Sequence, residues 1–344
     1  MTSSPIPLAP SEEDLAWVAL AASGFRLRHA EAVAAAGGPQ AVMGLPAREI
    51  EAHFPVLFGR ALAGQGNDWP HRGLVARTMV RGWVAAERSL LSPPALQRLK
   101  DWGAAPLVLF GRGESRALGE RPTVAIVGAR AASPRGRARS AALATCCAEA
   151  DVIIVSGGAR GVDLAAHEAA LRAGGETWVV LGEPVSVDDR DVPERVARLR
   201  SQAGALCLSP HGPWVARHRR LWASRNAVIA ALADAVVVIE GAEGSGTVYT
   251  VQAMRRLGRP VFAVPGDPDD PLSVTPNELI RRREAEPLLK LTDVLTAVFQ
   301  GRGPIPPPHT AVRPTLAMSL SPAEERLLAA IGPPHAARPV DDLL

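Results

Sequence analysis

The sequence has 344 residues, 47% hydrophobic and 21% charged, which is enough apolar side chain for two or three folded domains and excludes a globally disordered chain. Its formal net charge is only +3, which excludes a polybasic, histone-like protein; Lys100 and Lys290 are the only lysines, so nearly every cation is an arginine fork suited to phosphate and carboxylate. No apolar run reaches about 18 residues, the segment Met1–Leu15 has no basic-then-apolar signal pattern, and Cys146, Cys147 and Cys207 make no disulfide framework, so a cytoplasmic chain without a membrane span is expected.

In chain order, residues 1–103 read as a small helical domain. Ser11 before Glu12, Glu13 and Asp14 is a helix start, with acids at the positive end of the helix dipole. Leu15, Val18, Ala19 and Ala22 keep helical spacing behind it. Further helices are expected through Val75–Leu91 and Pro94–Trp102. Residues 104–300 change character. Short β-branched runs alternate with alanine-rich helices: Thr123–Val127, Val152–Val155, Thr177–Leu181, Ala205–Leu208, Ala235–Ile239 and Pro260–Val264. Each is apolar along its length and bounded by Gly, Ser or Asp, as strands buried on both faces are. The expected fold class is α/β, a doubly wound parallel sheet. Residues 301–318 open with GRGPIPPPHTAVRP, a Pro/Gly linker. Residues 319–344 restart a helix whose apolar positions are Leu327, Leu328 and Ile331, a partial unit too small to bury its own core.

Ligands of a parallel sheet bind at the carboxyl ends of its strands, and this sequence loads those turns with glycine, hydroxyl and guanidinium groups. After the first strand come Gly128, Arg130 and Arg135; after the second, Ser156, Gly157, Gly158, Arg160, Gly161 and Asp163; after the fifth, Gly244, Ser245, Gly246 and Thr247. Glycine frees backbone N–H groups for close approach, and helix starts favour anions. One such loop is commonly just a tight turn; three on one sheet edge point to phosphate. No G-x-G-x-x-G dinucleotide fingerprint and no G-K-[ST] loop occurs, nor HExxH or paired CxxC, so no cofactor and no metal is expected.

Arg217, Arg219, Arg220 and Arg225 flank Trp222 within nine residues, and Asn226 follows. Cations track phosphates and a flat ring stacks a base, the composition of a single-strand platform. The plainer alternative is a solvated basic helix start with Trp222 folded inward. Asp163 and His167, four apart, are expected as a surface pair on one helix. No nucleophile elbow or Ser/His/Asp set stands out.

The runs VAIVGARAASPRG, IIVSGGARGVDLAAHEAAL, SRNAVIAAL, EGAEGSGTVYTVQAMRRLGRPVFAVPG and the Ser273–Ile280 segment together resemble the DprA/Smf family (DNA-processing protein A). The resemblance implies a Rossmann-like DNA-binding domain at 104–300, an N-terminal SAM-like helical domain and a partial C-terminal winged-helix-like segment. It implies a non-enzymatic cytoplasmic protein that binds single-stranded DNA in natural transformation and recombination, protects it, loads a RecA-type recombinase and forms a homodimer. By position, Arg130 resembles the family's G-[SA]-R arginine. Ser156, Gly157 and Gly161 resemble its S-G-x-A-x-G loop, with Arg160 where lysine is frequent. Asp163 resembles that loop's terminal acid, and Trp222 falls where phenylalanine is frequent. Gly244–Thr247 resembles its S-G-[ST] loop. Two departures stand out: Gly182–Pro184 replaces a longer glycine motif, and Ser273–Asn277 lacks a glycine.

A second reading is a nucleotide-processing enzyme. The Gly244–Thr247 loop also resembles that of the LOG phosphoribohydrolases, whose working glutamate would fall at Thr250. A dimer face is expected on Met254, Leu257, Val261, Phe262, Leu279, Ile280, Leu288 and Leu289, whose ordinary alternative is core.

Overall fold

The structure, a computed structural model, describes residues 11–22, 25–45, 89–91, 105–113, 121–184, 193–212 and 221–306, with positions 49, 96, 99 and 215. The expected tail at 319–344, the arginines Arg217, Arg219 and Arg220 and the Trp222 side chain lie outside them.

Helix α1 (Glu12–Ala22) starts as its sequence dictates. The Ser11 hydroxyl accepts from the Asp14 N–H at 3.1 Å while the Asp14 carboxylate accepts from the Ser11 N–H at 2.9 Å, a reciprocal cap that satisfies two donors a helix start leaves open. Leu15 to Leu20 are all buried, so α1 is a core helix. It packs with α2 (Ala30–Ala35) and α3 (Pro39–Gly44) around Trp17, Phe25, Val33 and Val42, and that cluster continues into Leu107, Val108 and Phe110 at the sheet edge. The expected helix through Val75–Leu91 is corrected at its end, where Ser89–Leu91 form strand β1; the remainder lies outside the described residues. β1 sits antiparallel to β2 (Leu109–Gly113), so sheet pairing decides the conformation of Leu90 and Leu91. Of the expected helix at Pro94–Trp102, only Leu96 and Leu99 are described, both buried against the sheet.

All six expected strands are present: β3 (Thr123–Val127), β4 (Ile153–Ser156), β5 (Thr177–Val180), β6 (Ala205–Ser209), β7 (Ala235–Val238) and β8 (Val261–Ala263). They pair in parallel, and β9 (Glu286–Pro287) extends the parallel part. The sheet order among the described residues is β1-β2-β6-β5-β4-β3-β7-β8-β9, with β2 antiparallel to β6. β1 and β2 are outside the six-run pattern: Ser89–Leu91 falls in a run expected as helix, and Leu109–Gly113 ends in Gly-Arg-Gly, which masks a strand in sequence.

Alternation along the strands separates the two faces. Val124, Ile126 and Ile154 pack under α4 (Pro134–Glu149), α5 (Val162–Arg172) and α10 (Leu291–Phe299). On the same face α6 (Glu194–Arg200) covers Val179 and Cys207. Ala125, Val127, Val155, Trp178 and Val236 pack under α7 (Leu221–Leu232), α8 (Thr247–Arg256) and α9 (Val274–Arg281) on the other. The fold is thus a doubly wound α/β sandwich. From β3 the chain winds outward through β4 and β5 to β6, then returns to place β7 on the opposite side of β3. That reversal opens a crevice above the carboxyl ends of β3 and β7, where ligands of such sheets bind.

Two expectations about side chains change. Asp163 and His167 are buried rather than a surface pair: the His167 ring is fully enclosed, its Nδ1 2.6 Å from the Thr177 hydroxyl. Of the expected dimer face, Met254, Val261, Phe262, Leu279 and Leu288 are core, Leu257 and Ile280 pack against it, and Leu289 remains 75% exposed.

Candidate nucleic-acid interface

The crevice holds a cleft of about 410 Å³, lined from three βα junctions and one helix. The β3 junction supplies Gly128, Ala129 and Arg130; the β4 junction supplies Ala159 and Asp163; the β7 junction supplies Ser245, Gly246 and Thr247; and α7 supplies Arg225, Asn226 and Ile229. Tyr249 and Thr250, on the first turn of α8, complete the wall.

Each loop is held by a named buried group. Gly128 lies so close to Val162 that a β-carbon there would meet its Cγ2 at 2.6 Å and the Glu240 carbonyl oxygen at 3.0 Å, so only glycine lets the two junctions approach. The Glu240 carboxylate accepts from the Ser133 N–H at 2.9 Å and from the Ser133 hydroxyl at 2.5 Å, while that hydroxyl caps α4 by accepting from the Gly136 N–H. The β7 junction therefore anchors the β3 junction through one carboxylate. The loop after β4 folds over Asp163, whose carboxylate accepts from the N–H groups of Gly157 at 3.1 Å and Ala159 at 3.4 Å. The Ser156 hydroxyl donates to the Ile126 carbonyl at 2.5 Å, tying β4 to β3. Arg195 Nε donates to the Gly158 carbonyl at 2.9 Å.

Arg225 lies beneath this loop, 5% exposed, and donates to the Val180 carbonyl at 3.0 Å. A β-carbon on Gly157 would strike its guanidinium. Burial pushes the Asp163 carboxyl up from the ordinary carboxylate range and the Arg225 guanidinium down, and each charge opposes the other's shift. Arg130 also lowers Arg225 through like-charge repulsion. The cleft thus joins two cations, Arg130 exposed at the lip and Arg225 at the floor, with one carboxylate turned to internal bonds.

The Asn226 amide donates to the Gly246 carbonyl at 3.3 Å, and the Thr247 N–H donates to the Ser245 hydroxyl at 3.4 Å. The Ser273–Asn277 segment, without a glycine of its own, still braces the chain around this loop. Thr275 donates its N–H to the Gly241 carbonyl at 2.8 Å and its hydroxyl to the Ala242 carbonyl at 2.6 Å, and Asn277 clasps both the N–H and carbonyl of Gly266.

Among the expected residues, the cleft gathers Gly128, Arg130, Arg225, Asn226, Ser245, Gly246 and Thr247. Arg160 is exposed next to Ala159, and Arg135 is exposed on the first turn of α4; neither lines the cleft. Ser156, Gly157, Gly158 and Gly161 shape the loop behind it. Gly161, at φ +82°, lies directly against the carbonyls of Ala129 and Arg130, a conformation and contact that suit only glycine. Gly244 lies outside the lining and is exposed with φ +72°. The Trp222 backbone falls on the first turn of α7. Sequence reasoning missed Tyr249; its signal was an aromatic just inside a helix start, beside rather than on the buried face formed by Thr250, Val251 and Met254. Among the described residues no His/Cys/Asp/Glu cluster could hold a metal ion, and no helix is long and apolar enough to cross a membrane.

Residues 92–299 match the family model described as DNA recombination-mediator protein A. The chain is 38% identical over 203 residues to a putative DNA processing protein DprA of Mycobacterium tuberculosis, a match covering 58% of this chain and 51% of that protein. It thus spans about half the length of that curated relative. An X-ray structure of DNA processing protein A from Streptococcus pneumoniae superposes with a TM-score of 0.63 at 29% identity, covering 81% of this chain and 96% of that one. The Helicobacter pylori protein, solved for its single-stranded DNA binding mode, shares the fold at a TM-score of 0.55 and 22% identity, over 62% of this chain and 97% of its own.

Proposed function

The chain belongs to the DNA recombination-mediator protein A family, and on that premise we propose that it binds single-stranded DNA in the crevice between β3 and β7 and delivers it to a RecA-type recombinase. The observation that carries this reading is the convergence of three glycine-bearing βα junctions on one cleft with Arg130 at its lip. Backbone N–H groups, exposed guanidiniums and an open edge are what a phosphate backbone needs, and such contacts hold a strand without reading its sequence. Arg130 serves as the phosphate contact in the cleft, exposed Arg135 and Arg160 as contacts for the strand beyond it, and Arg217, Arg219 and Arg220 as further phosphate contacts, with Trp222 as a base contact. Arg225 and Ser156 act from beneath, as braces that keep the loops open.

The reading extends to a non-enzymatic mediator in the cytoplasm that protects incoming DNA during natural transformation, with no cofactor. It acts as a homodimer, for which exposed Leu289 and Leu291 supply an apolar contact. Light scattering should return about twice 36.1 kDa at micromolar concentration; a monomer mass would overturn the dimer.

The deciding experiment is a salt titration with labelled single- and double-stranded oligonucleotides of one length. Single-strand binding should be tighter and should fall linearly on a log–log plot, with a slope of about −0.7 per neutralised phosphate. Binding that ignores salt, or that favours duplex, overturns the assignment. The same protein incubated with AMP should release no adenine; turnover would favour the phosphoribohydrolase reading, against which stands Thr250, buried in the cleft wall.

A further inference from the structure

Tyr249 is the only tyrosine in the chain and, among the described residues, the only exposed aromatic side chain, at 61%. Trp17, Phe25, Phe110, Trp178 and Phe262 are buried, and Phe299 is half-buried. The helix that carries Tyr249 is anchored by its neighbours Thr250, Val251 and Met254, so the phenol contributes nothing to the core. A single exposed aromatic is ordinary on a protein surface; what sets Tyr249 apart is its place in the lining of the cleft, together with Arg130 and Asn226.

The cleft suits one kind of ligand. Arg130 and Asn226 line it together with Tyr249, along with the glycine and hydroxyl groups of the β7 junction. A cation, an amide side chain, hydroxyl groups and one flat ring match a nucleotide unit: phosphate to the cation, base to the ring. About 410 Å³ falls within the range of small-ligand pockets, room for one nucleotide unit.

Resting on the single-strand reading above, we propose that Tyr249 is the stacking platform for one unpaired base, and thereby a source of the preference for single over double strands. A base in a duplex has both faces covered by its neighbours and cannot reach a ring at the cleft wall without unstacking, which costs a few kcal/mol. A single strand offers bases already free to turn. Every base has a π-face, so the platform tolerates any sequence.

The test titrates wild type, Tyr249→Ala and Tyr249→Phe with three probes at one salt concentration: a labelled oligothymidylate, an equally long strand of abasic units, and a duplex. Wild type should bind the base-bearing strand about 5- to 150-fold more tightly than the abasic one, the range for one stacked base. Tyr249→Ala should lower that ratio by about 5-fold or more, the Trp222 contact supplying what remains, while binding the abasic strand as before; Tyr249→Phe should keep it. An unchanged ratio in Tyr249→Ala overturns the inference while leaving the single-strand reading intact, as does a wild type that binds both strands equally. A wild type that binds no probe overturns both. A strand carrying 5-iodouracil should photocrosslink to the peptide containing position 249; crosslinks confined to the Trp222 peptide would assign stacking elsewhere and refute Tyr249.

Discussion

Replacing Arg130 with alanine separates binding from folding more cleanly than any other change at this site. The side chain is exposed at the cleft lip, and exposed substitutions of this kind shift stability within about 0.5 kcal/mol. Binding should move much further. A charge-assisted hydrogen bond to phosphate contributes about 1.5–3 kcal/mol where water is excluded. The open lip reduces this by screening, so a loss of about 1–2 kcal/mol, roughly 5- to 30-fold in Kd, is expected at low salt. The salt slope should fall by about 0.7, one phosphate's worth of released counterion. Fluorescence anisotropy with a labelled oligothymidylate, repeated from low to moderate salt, reads both numbers on one plate. Unfolding by denaturant supplies the stability. If affinity and slope match wild type, Arg130 contacts no phosphate; if the midpoint of unfolding drops sharply, the side chain is a brace and not a lip.

Three further changes address the floor of the site and the core behind it. Gly157→Ala drives a methyl group into the Arg225 guanidinium and to 2.8 Å from the Asp163 carboxylate; stability should fall by about 1–3 kcal/mol, as overpacking of a filled interior does, together with DNA affinity, and a variant as stable as wild type would show that the loop yields. Glu240→Ala removes the acceptor of two Ser133 bonds, so denaturant unfolding should report a loss of about 1.5–3 kcal/mol, with Glu240→Gln recovering part of it. His167 should make the fold acid-sensitive. Burial first, then the Arg225 charge, lowers its pKa to about 3 from 6.5, so between those values the unfolded chain binds a proton that the folded chain refuses. Stability is full above about pH 6.5 and declines as pH falls, by about 2 kcal/mol at pH 5. His167→Asn, which keeps a donor near Thr177, should flatten that part of the pH profile, and an unchanged slope would assign the acid sensitivity to other groups.

Much of the sheet was legible because a buried parallel strand writes itself as an uninterrupted apolar run. Thr123–Val127 and Ala235–Val238 were found nearly residue for residue. The antiparallel edge was not, since Leu109–Gly113 ends in Gly-Arg-Gly and owes its strand state to pairing with β6, a partner about a hundred residues away. The site was half legible for the same reason. Loop glycines announce a sheet edge, so Gly128, Gly246 and their neighbours could be named; which arginine faces water depends on packing. Arg225 looked like one of a basic row, but the loop it supports closes over it. Asp163 and His167 looked like a surface pair because i,i+4 spacing marks one helix face without saying whether that face is turned inward. Tyr249 lies within a quoted run, at a position that the run's glycine and hydroxyl pattern does not single out, and its exposure beside Arg130 reveals it.

The division between lip and floor also sets apart the polar groups whose bonds go to the loops themselves. Backbone N–H groups can bind phosphate only if the loop is held open, and an unsupported glycine loop would collapse or fluctuate at an entropic cost paid on every binding event. Here the support is internal and charged: Glu240 fixes the first junction, Asp163 the second, and Arg225 spans from α7 to β5 beneath them. Removing a floor group should therefore weaken binding through loss of order, with stability falling in parallel. Removing a lip group should weaken binding alone. Plotted against each other for a set of variants, binding and stability losses should fall on two lines, and a single line through Arg130, Tyr249, Gly157 and Glu240 variants would mean that the cleft is not preorganised.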